Sequence, residues 1–173
     1  MSTYTPIASY TLTSNAASAA FSYIPQDYTD LVVVVKGTYT SGGTNNVAIQ
    51  FNADATNGNY AWRRLLGDGT GASTNFTTDV RIDFGLLSST APGSSIAHIL
   101  NYSNPTMKKT VLGRGNSYEY VGAVAGTWNN AAPITSINIL SSATFSSGTL
   151  ISIYGIQAGT PKAQGGNIVT TDG

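Results

Sequence analysis

Asp30-Leu-Val-Val-Val-Val-Lys36 is the stretch of this sequence that decides the fold. Four consecutive valines favour an extended backbone, because branching at Cβ restricts χ1 and disfavours a helix. A run without polar alternation cannot hide its apolar side chains on one face of a sheet. The stretch therefore predicts a central strand that is covered on both faces.

Short segments with strand patterns lie on both sides of this run. No segment has helical periodicity over several turns, and strand patterns recur roughly every 8–12 residues. We therefore predict an all-β chain that forms a single antiparallel β-sandwich with jelly-roll-like wiring over residues 1–157. The first two strands are predicted to form a hairpin around Ser14-Asn15. The predicted strands are 7–13, 17–24, 30–39, 47–51, 60–66, 77–84, 95–102, 110–112, 118–128, 134–140 and 150–156.

The composition suits one uncharged domain. A chain of 173 residues is long enough for one core, and the absence of cysteine excludes thiol catalysis and thiolate metal sites. Charged residues make up 9% of the chain, against about 25% in an average globular protein. The formal net charge is zero, which favours association between copies over repulsion.

Nucleic acid and membrane are predicted not to be partners. Binding several phosphates needs clustered lysine and arginine, and the adjacent basic pairs are only Arg63-Arg64 and Lys108-Lys109. No apolar run approaches the roughly 20 residues that span a bilayer. Residues 1–6 lack a basic segment followed by an apolar core, so no secretory signal is predicted.

The composition changes after Gln157. Residues 158–173 are rich in glycine and threonine and poor in apolar mass, which is typical of a linker or an arm. An open sandwich leaves strand edges unpaired, and a chain with eight lysines and arginines has few residues to guard them. We therefore predict that identical neighbours cover the edges in a homo-oligomer. The C-terminal arm is predicted to cross the subunit boundary, with Pro161, Ile168 and Val169 as contact residues.

No catalytic residues are predicted, and the chain is predicted not to be an enzyme. His98 is the single histidine, and no Gly-x-Ser-x-Gly elbow accompanies it, so it is interpreted as an ordinary strand residue. Asp79 and Asp83 are predicted to lie on the wet face of one strand with Arg81 between them. Their separation of roughly 13 Å along a strand is too large for a glycosidase pair. Carboxylates on other strands could still converge, which leaves a hydrolase as an open alternative.

Two loops have a superficial likeness to ligand loops. Residues 54–59 offer oxygen ligands in a glycine-containing turn, but they lack the spacing and bidentate glutamate of an EF-hand. An Asx turn is the preferred interpretation. Residues 67–71 lack the lysine and the helix that a phosphate-binding loop needs, so they are predicted to form a hairpin turn. No metal or cofactor is predicted.

Several aromatic residues are candidates for a sugar-stacking platform. Flat rings bury the apolar faces of sugars, while nearby asparagine and aspartate bind hydroxyl groups. On periodicity alone the same rings could equally be core and interface residues. The candidates are Tyr60, Trp62, Tyr102, Tyr118, Tyr120 and Trp128.

Six short segments also occur in a distinctive order. They are Tyr28-Thr-Asp-Leu-Val-Val, Asn59-Tyr-Ala-Trp-Arg-Arg-Leu, Leu112-Gly-Arg-Gly, Gly126-Thr-Trp, Pro133-Ile-Thr-Ser-Ile and Ile153-Tyr-Gly-Ile. In this order they resemble the β-rich structural proteins of tailed bacteriophages. The resemblance spans nearly the whole chain and implies a virion surface protein of the tail-fibre or capsid-decoration type, with no enzymatic residues to carry over.

The resemblance has further implications for assembly. It implies other virion proteins as partners, exposure on the exterior of a particle assembled in the host cytoplasm, and a homo-oligomer, with a trimer as the specific expectation. In similar proteins a segment like residues 160–173 often leads into a further glycine-rich fibre domain. The alternative function is a lectin-like module that recognises host surface glycans through the aromatic candidates.

Overall fold

The computed structural model describes residues 4–157, except for the side chains of Asn75 and Phe76, and it confirms an all-β sandwich. All strand pairs are antiparallel, and the described residues contain no helix that could cross a membrane. The strands are β1 (Tyr4–Thr11), β2 (Ala16–Ser22), β3 (Asp30–Gly37), β4 (Thr44–Phe51), β5 (Tyr60–Gly67), β6 (Ala72–Asp79), β7 (Ile82–Ser88), β8 (Gly93–Leu100), β9 (Lys109–Asn116), β10 (Val121–Trp128), β11 (Ser136–Phe145) and β12 (Leu150–Ile156).

The strands form a large and a small sheet. The large sheet has eight strands in the order β1-β12-β3-β8-β9-β10-β5-β6, and the small sheet has four in the order β2-β11-β4-β7. The predicted hairpin of the first two strands is wrong, because β1 pairs with β12 and β2 pairs with β11. The amide of Leu12 donates to the carbonyl of Thr149, and the carbonyl of Leu12 accepts from the amide of Gly148. These bonds hold the connection where it passes from one sheet to the other.

The large sheet has four strands more than the small one. If β5, β6, β9 and β10 are left out, the large sheet has the order β1-β12-β3-β8 and the small sheet has the order β2-β11-β4-β7. Each sheet then has four strands. This division is compatible with jelly-roll wiring, which stays a prediction. Of these four added strands, β9 and β10 pack against β7, so the overhang on the side of β7 begins at β5.

The valine-rich run is the central strand β3, paired with β12 on one side and β8 on the other. Leu31, Val33 and Val35 face the small sheet and are completely buried. On the opposite face Val32 keeps only 7% of its surface exposed and Val34 is half-buried. The prediction of a central strand is confirmed, but coverage of both faces is only partial. Among the described residues, Val32 and Val34 line an open surface pocket, and only neighbouring side chains such as Tyr154 cover them.

The two sheets meet at backbone distance where β7 crosses the large sheet. All residues of β7 are buried. A Cβ atom on Gly113 of β9 would lie 2.3 Å from the carbonyl oxygen of Phe84, so only glycine fits there. The Ser95 hydroxyl donates to the carbonyl of Leu86 at 2.8 Å and accepts from its amide at 2.9 Å. These contacts satisfy backbone groups that an edge strand would otherwise expose to water.

The predicted single strand over residues 77–84 is wrong. The chain leaves the large sheet at Asp79, bends at Val80-Arg81 and enters the small sheet at Ile82. Asp83 therefore lies in the sandwich with 5% of its surface exposed, and not on a wet face. The alternation of polar and apolar residues matches a strand on each side of the bend, which is why the pattern concealed it.

Candidate functional site

Most of the candidate stacking rings belong to the core. The Tyr60 and Trp128 rings stack at 6.2 Å between centroids, and the Tyr60 hydroxyl accepts a 3.0 Å bond from the amide of Phe51. Trp62 is 4% exposed and Tyr102 is completely buried. These rings cannot reach a sugar, so the predicted platform is not formed. Alternation along β5 and β10 turns their aromatic positions inward.

Tyr118 and Tyr120 remain at the surface, in the turn between β9 and β10. Tyr118 is 70% exposed, whereas Tyr120 is half-buried and lines a cleft of about 270 Å³ under the overhang. We call this space the inter-sheet cleft. Its lining residues are Thr44, Asn46, Arg64, Leu66, Leu86, Glu119 and Tyr120.

A chain of polar contacts fixes the floor of the inter-sheet cleft. Arg64 donates from Nη1 to Oδ1 of Asn46 at 2.7 Å, and its guanidinium lies 5.5 Å from the centre of the Trp62 ring. Asn46 in turn donates from Nδ2 to Oδ2 of Asp83 at 2.7 Å. Arg81 donates from Nε to the other oxygen of Asp83 at 3.1 Å. Arg64 and Asn46 are therefore held in position by side chains behind them.

Asp83 is the buried carboxyl group of this network. Burial raises the pKa of Asp83 above its ordinary value, although the Arg81 guanidinium and the Asn46 amide both favour the carboxylate. Asp79, its supposed strand neighbour, accepts a 2.6 Å bond from the amide of Val80 and shares none of these partners. The two carboxylates therefore have different hydrogen-bond partners, although the charge of Asp79 also contributes to raising the pKa of Asp83. Asp83 acts on the cleft through Asn46.

His98 is a strand residue, as predicted, and it has a carboxylate neighbour that the sequence did not reveal. It lies on β8, with Nε2 3.4 Å from Oδ2 of Asp30 on the adjacent strand β3. The other Asp30 oxygen accepts a 2.8 Å bond from the amide of Asn101. Asp30 and His98 are diagonal neighbours in the β3–β8 register, a relation that becomes visible only when the strands are paired.

The loop at Asp54 is an Asx turn, as preferred from the sequence. Oδ1 of Asp54 accepts from the amide of Thr56 at 3.0 Å, and Oδ2 accepts from Asn59 Nδ2 at 2.9 Å and Trp128 Nε1 at 2.8 Å. Burial raises the pKa of Asp54, but these hydrogen bonds outweigh it and lower the pKa to about 2. Within residues 4–157 no three His, Cys, Asp or Glu side chains are grouped as metal ligands.

Asp54 should make the free energy of unfolding depend on pH in the acidic range. An ordinary aspartate has a pKa of about 3.9 in the unfolded chain, whereas Asp54 has a pKa of about 2 in the folded chain. The carboxylate therefore stabilises the fold above roughly pH 4, and this contribution is lost as the pH falls towards roughly 2. In urea unfolding across this range, Asp54→Asn should be less stable at neutral pH and lose less stability on acidification.

Asp27→Asn, in an exposed turn, is the control for this experiment. It should leave the acid dependence of the wild-type protein in place. Parallel stability curves for the wild-type and Asp54→Asn proteins between about pH 4 and 2 would contradict the assignment.

The glycine-rich turn at residues 67–71 joins β5 to β6 as predicted. Oδ1 of Asp68 accepts from the amides of Thr70 and Gly71, both at 2.9 Å. Gly69 has a φ of +84°, a conformation that favours glycine. The turn is therefore a self-contained hairpin turn, and its Asp68 carboxylate is engaged by its own backbone.

The predicted arm residues Pro161, Ile168 and Val169 lie outside the described residues, and their role stays a prediction.

Comparison with known proteins identifies no family. No family model and no curated protein matches the chain. An exo-inulinase from Aspergillus awamori is similar at a TM-score of 0.45 and 13% identity over 88% of this chain, which spans 29% of the inulinase. A protein of unknown function from Shewanella oneidensis is similar at a TM-score of 0.19 and 11% identity, over 81% of this chain and 63% of that protein. Likenesses this weak bear on neither the fold nor the function of this chain.

Proposed function

We propose that this chain is a non-enzymatic structural protein on the exterior of a tailed bacteriophage virion, where it assembles as a homo-oligomer. The phage assignment is supported by the order of the six sequence segments that resemble β-rich virion proteins. The assembly is supported by one observation on the fold, an exposed apolar surface on the added strands of the large sheet.

This surface is the outer face of β5, β9 and β10. Leu65, Leu112 and Val121 point away from the small sheet and are 53%, 45% and 63% exposed. The strand registers place Leu112 beside Ala125, and Ala123 beside Leu65, so the three large side chains share one face. Leu65 and Val121 also line a shallow groove of about 620 Å³. The exposed Arg63 and Arg114 lie on the same face, beside Ala125 and Ala123. Exposed apolar side chains bordered by charged residues mark an interaction site.

A second copy of this chain is the occupant that fits the face. Strands spaced about 4.8 Å apart and rising about 3.3 Å per residue give the outer face of β9, β10 and β5 an area of roughly 380 Å², and the whole eight-stranded sheet roughly 900 Å². A stable interface needs about 800 Å² from each partner, so the interface has to extend from these three strands across the rest of the outer face. Because the net charge of the chain is zero, copies do not repel each other over long range.

Sedimentation of the Leu112→Glu variant tests this interface. The wild-type protein should sediment as a homo-oligomer, with a trimer expected, at micromolar concentration. A glutamate at this position removes an apolar contact and places a charge in the interface that has to lose its water, which should weaken association about a hundredfold or more. Met107→Glu adds the same charge at a loop residue that is 49% exposed and should leave assembly unchanged. A monomeric wild-type protein, or equal behaviour of the two variants, would contradict the interface.

The C-terminal arm is proposed to strengthen the same assembly. Deleting residues 158–173 should weaken the oligomer and leave the unfolding midpoint of the sandwich unchanged, because the arm is rich in backbone donors and poor in apolar mass. An unchanged oligomer after the deletion would mean that the segment is a linker.

The virion assignment is tested on particles. Mass spectrometry of purified tailed-phage particles from cells that produce this chain should detect it with the capsid or tail proteins. Its absence from purified particles would overturn the structural role, whatever the oligomeric state of the isolated protein.

Glycan recognition is the second candidate function. One observation favours it: Tyr120 lines a polar cleft together with Arg64 and Glu119. The cleft and the apolar outer face lie on opposite faces of β5. The same subunit can therefore assemble through one face and bind a host glycan at the other.

A further inference from the structure

The inter-sheet cleft has the chemistry of a sugar site. A sugar ring carries hydroxyl groups that both donate and accept, together with an apolar face of C–H groups. The cleft supplies donors from Arg64, acceptors from Glu119, and the ring of Tyr120. Leu66 and Leu86 complete an apolar part of the wall.

The donors of the cleft are preorganised. Arg64 has five N–H donors in a fixed plane. The guanidinium is held by Asn46 at 2.7 Å and lies over the Trp62 ring at 5.5 Å. Asn46 is itself held by the buried Asp83 at 2.7 Å. A ligand therefore finds Arg64 and Asn46 already in place and does not have to order them on binding.

Size and charge restrict the ligand. The cleft volume of about 270 Å³ lies below the roughly 300–1,000 Å³ of pockets for drug-sized molecules, which suits a single ring. Arg64 and Glu119 carry opposite charges, so the cleft as a whole favours neither an anion nor a cation. A phosphate or a uronic acid would meet the Glu119 carboxylate, whereas a neutral ring can accept from Arg64 and donate to Glu119.

We propose that the inter-sheet cleft binds one neutral hexopyranose unit of a glycan. The ring packs against Tyr120, and adjacent hydroxyls bridge Arg64 and Glu119. This inference rests on glycan recognition as the second candidate function and is independent of the virion role. The proposal includes binding only, so a bound sugar is released unchanged.

Saturation-transfer NMR on the full chain tests the proposal. The probes are the methyl glycosides of glucose, galactose, mannose and N-acetylglucosamine, with glucuronic acid and glucosamine as charged probes. At least one neutral glycoside should bind, and its affinity should not change with salt, because the ligand has no charge to screen. Binding restricted to the charged probes, or no transfer signal from any neutral glycoside, overturns the proposal.

Neighbouring residues on opposite sides of the chain provide matched controls. Tyr120→Ala and Arg64→Gln should each weaken binding about tenfold or more, since each removes a contact to the ring or to its hydroxyls. Tyr118→Ala and Arg63→Gln make the same changes outside the cleft lining and should keep affinity within about twofold. Glu119→Gln, at an exposed position, weakens binding without endangering the fold. Binding that survives all three cleft variants places the sugar elsewhere and overturns the site.

The outcomes separate this inference from the proposed function. Cleft variants should still sediment as the wild-type oligomer and still enter particles, because Arg64 of the cleft and Leu65 of the outer face point to opposite sides of β5. Loss of sugar binding with retained assembly supports both proposals. Hydrolysis of a bound glycoside would overturn both the binding-only role and the non-enzymatic assignment.

Discussion

Gly113→Ala is expected to destabilise the protein by about 3 kcal/mol, at the upper end of the cost of overpacking a core. The added Cβ atom would lie 2.3 Å from the carbonyl oxygen and 2.9 Å from Cβ of Phe84. The nearest obstacle is backbone, so no side-chain rotation can relieve the clash. The whole of β7 would have to move away from the large sheet.

Urea unfolding measures this effect against a matched glycine. Gly71→Ala adds the same methyl group where no atom lies within 4 Å, so it should change the unfolding free energy by about 0.5 kcal/mol or less. Equal unfolding midpoints for the two alanine variants would contradict the close approach of the sheets. Gly113→Ala should also weaken sugar binding, because β7 supplies Leu86 to the cleft wall and Asp83 to the network behind it.

The importance of Gly113 illustrates what a sequence pattern can and cannot predict. A glycine inside a strand indicates that another group approaches closely. The pattern does not name that group, because Phe84 is distant in sequence and belongs to the other sheet. The valine run of β3 was predicted well, since four consecutive apolar β-branched residues leave little choice of environment.

The same distinction explains the errors around β6 and β7. Residues 77–84 alternate well enough for one strand, but alternation is a local property and does not record a change of sheet. The bend at Val80-Arg81 arises because β6 pairs with β5 in the large sheet, whereas β7 pairs with β4 in the small sheet. Asp83 is buried with Asn46 and Arg81 bound to it. The spacing of two residues already places Arg81 beside Asp83, whereas the contact with Asn46 joins distant parts of the chain and leaves no signal in the sequence.

The candidate site was predicted only in part for a related reason. Tyr120 was one of six aromatic candidates and is half-buried at the cleft, while Tyr60 and Trp128 share its chemistry but are completely or almost completely buried. Aromatic rings suit a core and a binding surface equally well, so residue type does not separate the two. The network of Arg64 and Asn46 joins two sheets, and a single sequence gives no means of pairing them.

Lys109 carries a buried charge that the sequence did not predict. Lysine is almost never fully buried unless paired, yet Lys109 has no exposed surface. Its ammonium donates to the backbone carbonyls of Asn104, Met107 at 2.6 Å and Ala131 at 3.0 Å. Within the described residues no carboxylate forms an ion pair with it. The three N–H donors of the ammonium thus join the loop after β8 to the loop after β10.

Lys109→Met is expected to destabilise the protein by about 3–5 kcal/mol, a large part of the 5–15 kcal/mol by which proteins are stable. Replacing a buried charge by an apolar side chain of similar volume is often neutral when both partners are replaced. Here only the donor is removed, so three carbonyl groups lose their partner together. Lys108→Met makes the same change at the exposed neighbouring residue and should alter stability by less than about 0.5 kcal/mol. Wild-type stability of Lys109→Met in urea unfolding would contradict this role. It would mean that the cost of removing the ammonium from water equals the gain from its hydrogen bonds. Lys109 would then not be the residue that holds the two loops together.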